Sequence, residues 1–149
     1  MKTDIRVRQV LLHGLLMVMA GLLVGFVVPQ TPYPRLALGA HIQFVSNGLL
    51  FVILAVSLAV LPHRVGARSL AVVVLAAWLT WGMGLSEVAN AWWGTTQMLP
   101  IVADQAGATG GLPWHELVVK LAHIAAGLGL VAAWGLVIIG FAKRTDGSG

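Results

Sequence analysis

Four long apolar stretches constrain this chain of 149 residues more than any other feature. They cover residues 10–28, 42–61, 70–93 and 117–142. At about 1.5 Å per residue, a helix over any of them would cross a hydrocarbon layer roughly 30 Å thick. Lipid satisfies no backbone hydrogen bonds, so a spanning segment is either a helix or a strand of a closed barrel. Barrel strands are about ten residues long and alternate in hydrophobicity. The four stretches are longer than such strands and do not alternate in hydrophobicity, so the sequence predicts four helices.

The composition excludes several other classes of protein. Hydrophobic residues make up 58% of the chain and charged residues 9%, whereas a soluble domain is about 25% charged. The net charge of +4 comes from basic residues at the ends of the apolar stretches, which argues against nucleic-acid binding. The absence of cysteine excludes disulfides and cysteine-based attachment of a metal or haem. We therefore predict an all-α, integral membrane four-helix bundle, with residues 1–149 as a single transmembrane domain.

The basic residues also predict an orientation. Seven of the nine lie at the two chain ends or in the connection after the second stretch: Lys2, Arg6, Arg8, Arg64, Arg68, Lys143 and Arg144. Because short loops rich in Lys and Arg stay on the cytoplasmic side, both termini are expected to be cytoplasmic. A cleaved signal peptide is an alternative interpretation of the first stretch, although its apolar region is long for a signal.

Polar residues at membrane depth are the first candidates for function, since they are costly in lipid. Thr80, Met83, Glu87, Asn90 and Gly94 are spaced by three or four residues, which places them on one face of the third helix. Two interpretations remain open. The face lines a site in which Glu87 supplies an acid or base and Asn90 an amide, or it forms an interhelical hydrogen-bond cluster.

The second stretch carries a further polar set. His41 precedes Gln43 and Asn47, and an interval of six residues turns Asn47 about 120° away from His41 on an ideal helix. The two residues serve one pocket only if it lies between their faces or if neighbouring subunits share it. Taken alone, each of His41, His13 and His123 is better explained as an interfacial or hydrogen-bonded histidine than as a ligand.

Small residues predict close helix packing. Gly21 and Gly25 form a GxxxG pair, and Ala125, Gly129 and Ala133 repeat small side chains every four residues. Such spacing allows helix backbones to approach closely, within one subunit or between subunits.

One segment carries a family resemblance. Residues 34–48 read PRLALGAHIQFVSNG and resemble the pattern PR-x-x-L-x-AH, six residues ending in Asn, then Gly, of hydroxylaminobenzene mutases. Similar matches occur upstream at 13–29 and downstream at 99–116, so that the likeness covers nearly all of residues 10–142. The architecture is also similar to that of styrene oxide isomerases, which are small four-helix membrane enzymes.

The resemblance implies a cofactor and site residues. In the isomerases the matching histidine ligates haem b between the subunits of a trimer, and the Asn six residues later orients the substrate. By this resemblance His41 is a haem b and iron ligand, Asn47 is a substrate contact, and the chain is a homotrimer of the bacterial inner (plasma) membrane. The isomerases also carry a catalytic tyrosine in the third helix. The only tyrosine here is Tyr33, and Glu87 lies at or near the matching position.

The resulting hypothesis is a membrane isomerase or mutase that converts an arylhydroxylamine to an aminophenol, with haem iron as Lewis acid and Asn47, Glu87 and Asn90 as catalytic residues. A first alternative is the conversion of an epoxide to an aldehyde. A second is a non-enzymatic haem protein, an electron carrier or sensor in which His13 or His123 is the second axial ligand. A third is a non-catalytic helical partner or small transporter.

Overall fold

A computed structural model describes the backbone of residues 2–143 and the side chains of residues 5–143. Within this range the chain forms five α-helices and no strand: α1 (Lys2–Val27), α2 (Pro34–Val60), α3 (Ala67–Trp93), α4 (Pro100–Gln105) and α5 (Pro113–Ala142). A short 3₁₀ turn, Val28–Gln30, follows α1. By length and composition α1, α2, α3 and α5 can each cross a membrane. The prediction of an all-helical fold is confirmed for the described residues, and its four long apolar helices are compatible with a membrane bundle.

The long helices begin before the apolar stretches that predicted them. α2 begins at residue 34 rather than 42, and α5 at 113 rather than 117. Both begin at a proline, whose fixed φ suits the first turn and whose missing N–H is not needed there. His41 therefore lies two turns inside α2 rather than at its start. Residues 144–149, including the basic Arg144, lie outside the described residues.

Helices α1 and α2 form an antiparallel hairpin with the most extensive contact of any two helices in the described range. Gly14 and Gly48 lie at its closest point, where a Cβ added to either would be 2.7 Å from the carbonyl oxygen of the other. A Cβ on Gly21 would lie 2.7 Å from a Val45 methyl group. Close packing at the predicted GxxxG pair is therefore confirmed, and it occurs within the subunit.

Helix α3 packs against α1, α2 and α5. Its contact with α5 is close at Gly129, where a Cβ would lie 2.9 Å from Leu79. The core between the helices is apolar, and its largest fully buried hydrophobic side chains include Phe51, Met17, Leu36, Leu54 and Leu70. Large apolar side chains on the opposite helix faces are exposed, as expected for surfaces that face lipid.

The connection between α3 and α5 is held by one carboxylate. Glu116, in the first turn of α5, accepts hydrogen bonds from the backbone N–H groups of Thr96 (2.9 Å), Gln97 (3.0 Å) and Gly111 (3.3 Å). An acidic side chain at a helix N-terminus is also favoured by the helix dipole. These bonds fix the connection beside the ends of α3 and α5, where the candidate site lies.

Candidate active site

The polar face predicted on α3 is buried. Thr80, Met83, Glu87, Asn90 and Gly94 all lie in the interior. Glu87 is 1% exposed and Asn90 is completely buried. A carboxyl group at this depth needs a partner or a role.

The partner of Glu87 is His123 on α5. Oε1 of Glu87 lies 2.7 Å from Nε2 of His123, and both side chains are buried. The distance is that of an ion pair or a charge-assisted hydrogen bond, and no other described residue bonds either atom. On the other side of the carboxyl group, Oε2 lies 3.7 Å from where a Cβ of Gly39 would be. Glu87 is thus enclosed between α5 and α2.

Asn90 lies one turn beyond Glu87. The oxygen of its side-chain amide is hydrogen-bonded, whereas the nitrogen is not bonded to any described residue. Its Oδ1 accepts hydrogen bonds from the N–H of Thr95 (2.8 Å) and from the hydroxyl of Thr95 (2.7 Å). Because both donors bind the oxygen, the orientation of the amide is fixed. Its Nδ2 is buried without a partner among the described residues.

The site therefore holds an isolated buried pair, Oε1 of Glu87 and Nε2 of His123, and one buried donor without a partner among the described residues, Nδ2 of Asn90. Residues three apart on a helix are neighbours, so the Glu87 pair and Asn90 belong to one region. A buried donor without a partner, such as Nδ2 of Asn90, is rare in folded proteins and is typical of catalytic and ligand-binding sites. The sequence predicted Glu87 and Asn90, but it missed the pairing with His123 and the contribution of Thr95.

His41 occupies a different environment, on the side of α2 that faces α1. Its Nδ1 lies 2.7 Å from the carbonyl oxygen of Gly21, which can only accept a hydrogen bond. A Cβ on Gly25 would lie 2.9 Å from the same nitrogen, so the imidazole ring can occupy this position only because residue 25 is glycine. With the proton on Nδ1, the neutral ring has its lone pair on Nε2, as a metal-binding histidine requires.

These features fit a haem held by a single axial histidine. The described part of the chain contains no group of three or more His, Asp or Glu residues that could hold a bare metal ion. A haem needs no such group, because the porphyrin supplies four ligands to its iron. In such a ligand, the ring nitrogen that does not bind the metal usually donates a hydrogen bond to a carbonyl oxygen, which fixes the orientation of the ring.

The structure does not bring His41 and Glu87 together within one chain. Glu87 contacts α2 at Gly39, only two residues before His41, but this interval corresponds to about 200° around the helix. Asn47 is half-buried, and its side chain forms no hydrogen bond to another described residue. His41 thus faces α1, whereas Glu87 and Asn90 lie on the buried face of α3.

The other two intramembrane histidines are also engaged. Nδ1 of His13 accepts a hydrogen bond from Trp81 (3.2 Å), and its ring packs edge-on against Trp78. His13 lies eight residues before Gly21, the residue of α1 that His41 bonds, which is about 12 Å along the helix. Nδ1 of His123 lies 2.7 Å from the carbonyl oxygen of Val119, and its Nε2 faces Glu87. Neither histidine is placed to share an iron with His41 in one chain.

An apolar cavity of about 180 Å³ lies between α1, α2 and α3. An engineered apolar cavity of roughly 150 Å³ is known to hold benzene, so this space suits one aromatic ring. One of its lining residues, Ala37, precedes His41 by one helical turn. The lining residues are Leu23, Val24, Val27, Thr31, Ala37, Val88, Ala91 and Trp92.

The fold and the site together define a class: a small multi-pass membrane protein with a buried acid, a buried imidazole and a free amide donor. Comparison with known proteins makes the assignment more specific. The family model for styrene oxide isomerase matches residues 6–142. The chain is also 30% identical over 145 residues to hydroxylaminobenzene mutase HabB of Ectopseudomonas oleovorans, covering 93% of this chain and 86% of that protein. No solved structure matches the chain. The chain therefore belongs to the styrene oxide isomerase family, a family of isomerase and mutase enzymes, and the resemblance inferred from residues 34–48 is confirmed.

Proposed function

We propose that the protein is a membrane mutase that rearranges an arylhydroxylamine to an aminophenol. The observation that carries the proposal is the buried Glu87–His123 pair together with the free Nδ2 of Asn90, in a chain similar to a hydroxylaminobenzene mutase. An acid, a base and an amide donor in a water-poor site are the groups that an internal rearrangement of a small polar function requires.

The chemistry defines what these residues do. In the rearrangement the N–O bond breaks, a C–O bond forms on the ring, and the proton on that ring carbon ends on nitrogen. No net oxidation occurs, and no proton is gained or lost overall. Glu87 would accept the proton and return it, while Nδ2 of Asn90 would donate a hydrogen bond to the migrating oxygen. We assign Asn47 a substrate contact on the strength of the family resemblance.

A haem b fits the environment of His41. Nε2 of His41 would hold the iron of the haem, with Nδ1 hydrogen-bonded to the carbonyl group of Gly21. When bound, the iron would supply a Lewis acid that polarises the N–O bond. Gly25 leaves the space in which the ring keeps this orientation.

We further propose that the site is completed between copies of the chain. His41 and Glu87 lie on different sides of α2 in one chain, so a substrate that meets both groups requires a neighbouring subunit. The family resemblance favours a homotrimer in the bacterial inner membrane. A small aromatic substrate would enter from the bilayer, in which it dissolves readily.

The test uses purified full-length protein, expressed with an ample haem supply, in detergent or nanodiscs. We expect turnover of phenylhydroxylamine to aminophenol, identified by chromatography, and a Soret band that disappears in His41→Ala. His63→Ala is the matched control, because His63 lies in the connection after α2, hydrogen-bonded to Leu58 and Val65. Absence of turnover by the haem-loaded wild type would refute the mutase, and a spectrum unchanged in His41→Ala would refute the ligand assignment.

Isomerisation of styrene oxide is a second candidate, favoured by the position of Tyr33. Tyr33 lies beside the C-terminal end of α3, where its backbone N–H donates a hydrogen bond to the carbonyl oxygen of Ala91 (3.1 Å). Its ring covers Gly94, whose Cβ would lie 3.0 Å from the tyrosine hydroxyl oxygen. Incubation with styrene oxide distinguishes this candidate, since the product would be phenylacetaldehyde and Tyr33→Phe would abolish its formation.

A further inference from the structure

His123 has a tautomer that the structure determines. Its Nδ1 lies 2.7 Å from the carbonyl oxygen of Val119, one turn earlier on α5. A carbonyl oxygen offers only lone pairs, so Nδ1 carries a proton whether the ring is neutral or charged. Any proton that His123 gains or loses is therefore on Nε2, the nitrogen that faces Glu87.

The contact with Glu87 then requires a shared proton. Nε2 and Oε1 are 2.7 Å apart and have no other partner among the described residues. A neutral Nε2 and an ionised carboxylate would present lone pairs to each other at this distance. One proton must therefore lie on one of the two atoms, and the pair is electrically neutral in either case. Neutrality is what the apolar surroundings favour.

No other titratable group in the described part of the chain contacts this pair. On α2 the group facing Glu87 is Gly39. The other charged residues near this end of α5 are engaged in the connection: Glu116 binds its backbone, and Lys120 donates to Gln97 at 3.0 Å. The shared proton therefore has no protein neighbour to receive it.

We propose that Glu87 and His123 form a one-proton dyad, in which His123 positions Glu87 and holds the proton that the reaction moves. The dyad accepts the proton of the ring carbon once the C–O bond has formed, and it delivers one proton to nitrogen. Atoms and charge then balance without an external acid or base. The part of this inference that concerns turnover rests on the proposed mutase function.

The kinetic test compares three variants: Glu87→Gln, His123→Gln and the double variant. We expect each to lower kcat for phenylhydroxylamine by about 10²–10⁴-fold, the range of acid–base catalysis, with little change in KM. Because the dyad acts as a unit, we expect kcat of the double variant to be no lower than kcat of either single variant. In His123→Gln, ring-deuterated substrate gives a larger isotope effect than in the wild type, which a merely structural role would not produce. The proposal would be overturned if the fold-losses in kcat of the two single variants multiplied in the double variant. It would also be overturned if the isotope effect were unchanged in His123→Gln.

A second measurement is independent of turnover. In protein labelled with ¹⁵N-histidine, His123→Gln identifies the His123 resonances among the five histidines. Glu87→Gln keeps the carboxyl shape but removes its charge, so we expect the Nε2 resonance of His123 to shift while the other four histidines stay unchanged. If no histidine shifts, the dyad is refuted even if the enzyme is active. If the wild type is inactive but Nε2 shifts, the mutase function fails and the dyad stands.

Discussion

At the scale of single residues, the site depends on side chains whose partners leave one atom free. Thr95 binds only the oxygen of the Asn90 amide, so Nδ2 remains available to a substrate oxygen. Helical spacing predicted that Glu87 and Asn90 face inward, because periodicity is a local property. It did not predict His123 or Thr95, because a contact between α3 and α5 depends on how the helices pack.

Thr95→Val tests the fixed amide. The variant keeps the shape of the side chain and the backbone N–H bond but removes the hydroxyl donor at 2.7 Å. One hydrogen bond contributes about 1 kcal/mol, so we expect KM for phenylhydroxylamine to rise roughly fivefold with kcat little changed. Thr96→Val is the control, because the hydroxyl of Thr96 faces Glu116 rather than Asn90. Equal effects of the two substitutions on KM would contradict a specific role for Thr95.

At the scale of helices, α2 presents different residues to its two sides. His41 faces α1, whereas Gly39 leaves space beside Glu87. Hydropathy located the helix but not its first residue, because hydropathy marks the segment embedded in lipid and Pro34 marks where the helix begins. Small-residue spacing correctly predicted close packing at Gly21 and Gly25, since only glycine permits an approach of this kind.

Gly25→Ala tests how α1 supports His41. A Cβ at this position would lie 2.9 Å from Nδ1, so the ring must move away from the carbonyl group of Gly21. We expect the affinity for haem, measured by titrating haem-free protein and following the Soret band, to fall at least tenfold, as losses of such supporting bonds commonly cause. Gly82→Ala is the control, because nothing lies within 4 Å of a Cβ there. Haem affinity that is equal in both variants would contradict this support.

At the scale of the whole molecule, four spans enclose a small polar region and expose apolar faces around it. Composition and run length were sufficient to predict this architecture, because the bilayer permits so few alternatives. The same reasoning does not specify the subunit contacts. An apolar side chain such as Leu128 or Val131 is equally stable against lipid or against another helix. The arrangement of subunits around His41 therefore depends on how the surfaces of their helices fit together, which hydropathy does not encode.

The orientation of the molecule is the remaining prediction, and the absence of cysteine makes it simple to test. Ala67 at the start of α3 and Thr109 in the connection before α5 are both exposed, and each replaced by cysteine provides a single thiol. Between them lies α3, which by length and composition can cross the membrane once. With the basic residues retained in the cytoplasm, a membrane-impermeant maleimide applied to intact cells should label Thr109→Cys and leave Ala67→Cys unlabelled until the cells are permeabilised. The reverse pattern would place both termini outside the cytoplasm, and labelling of both residues in intact cells would contradict the span between them.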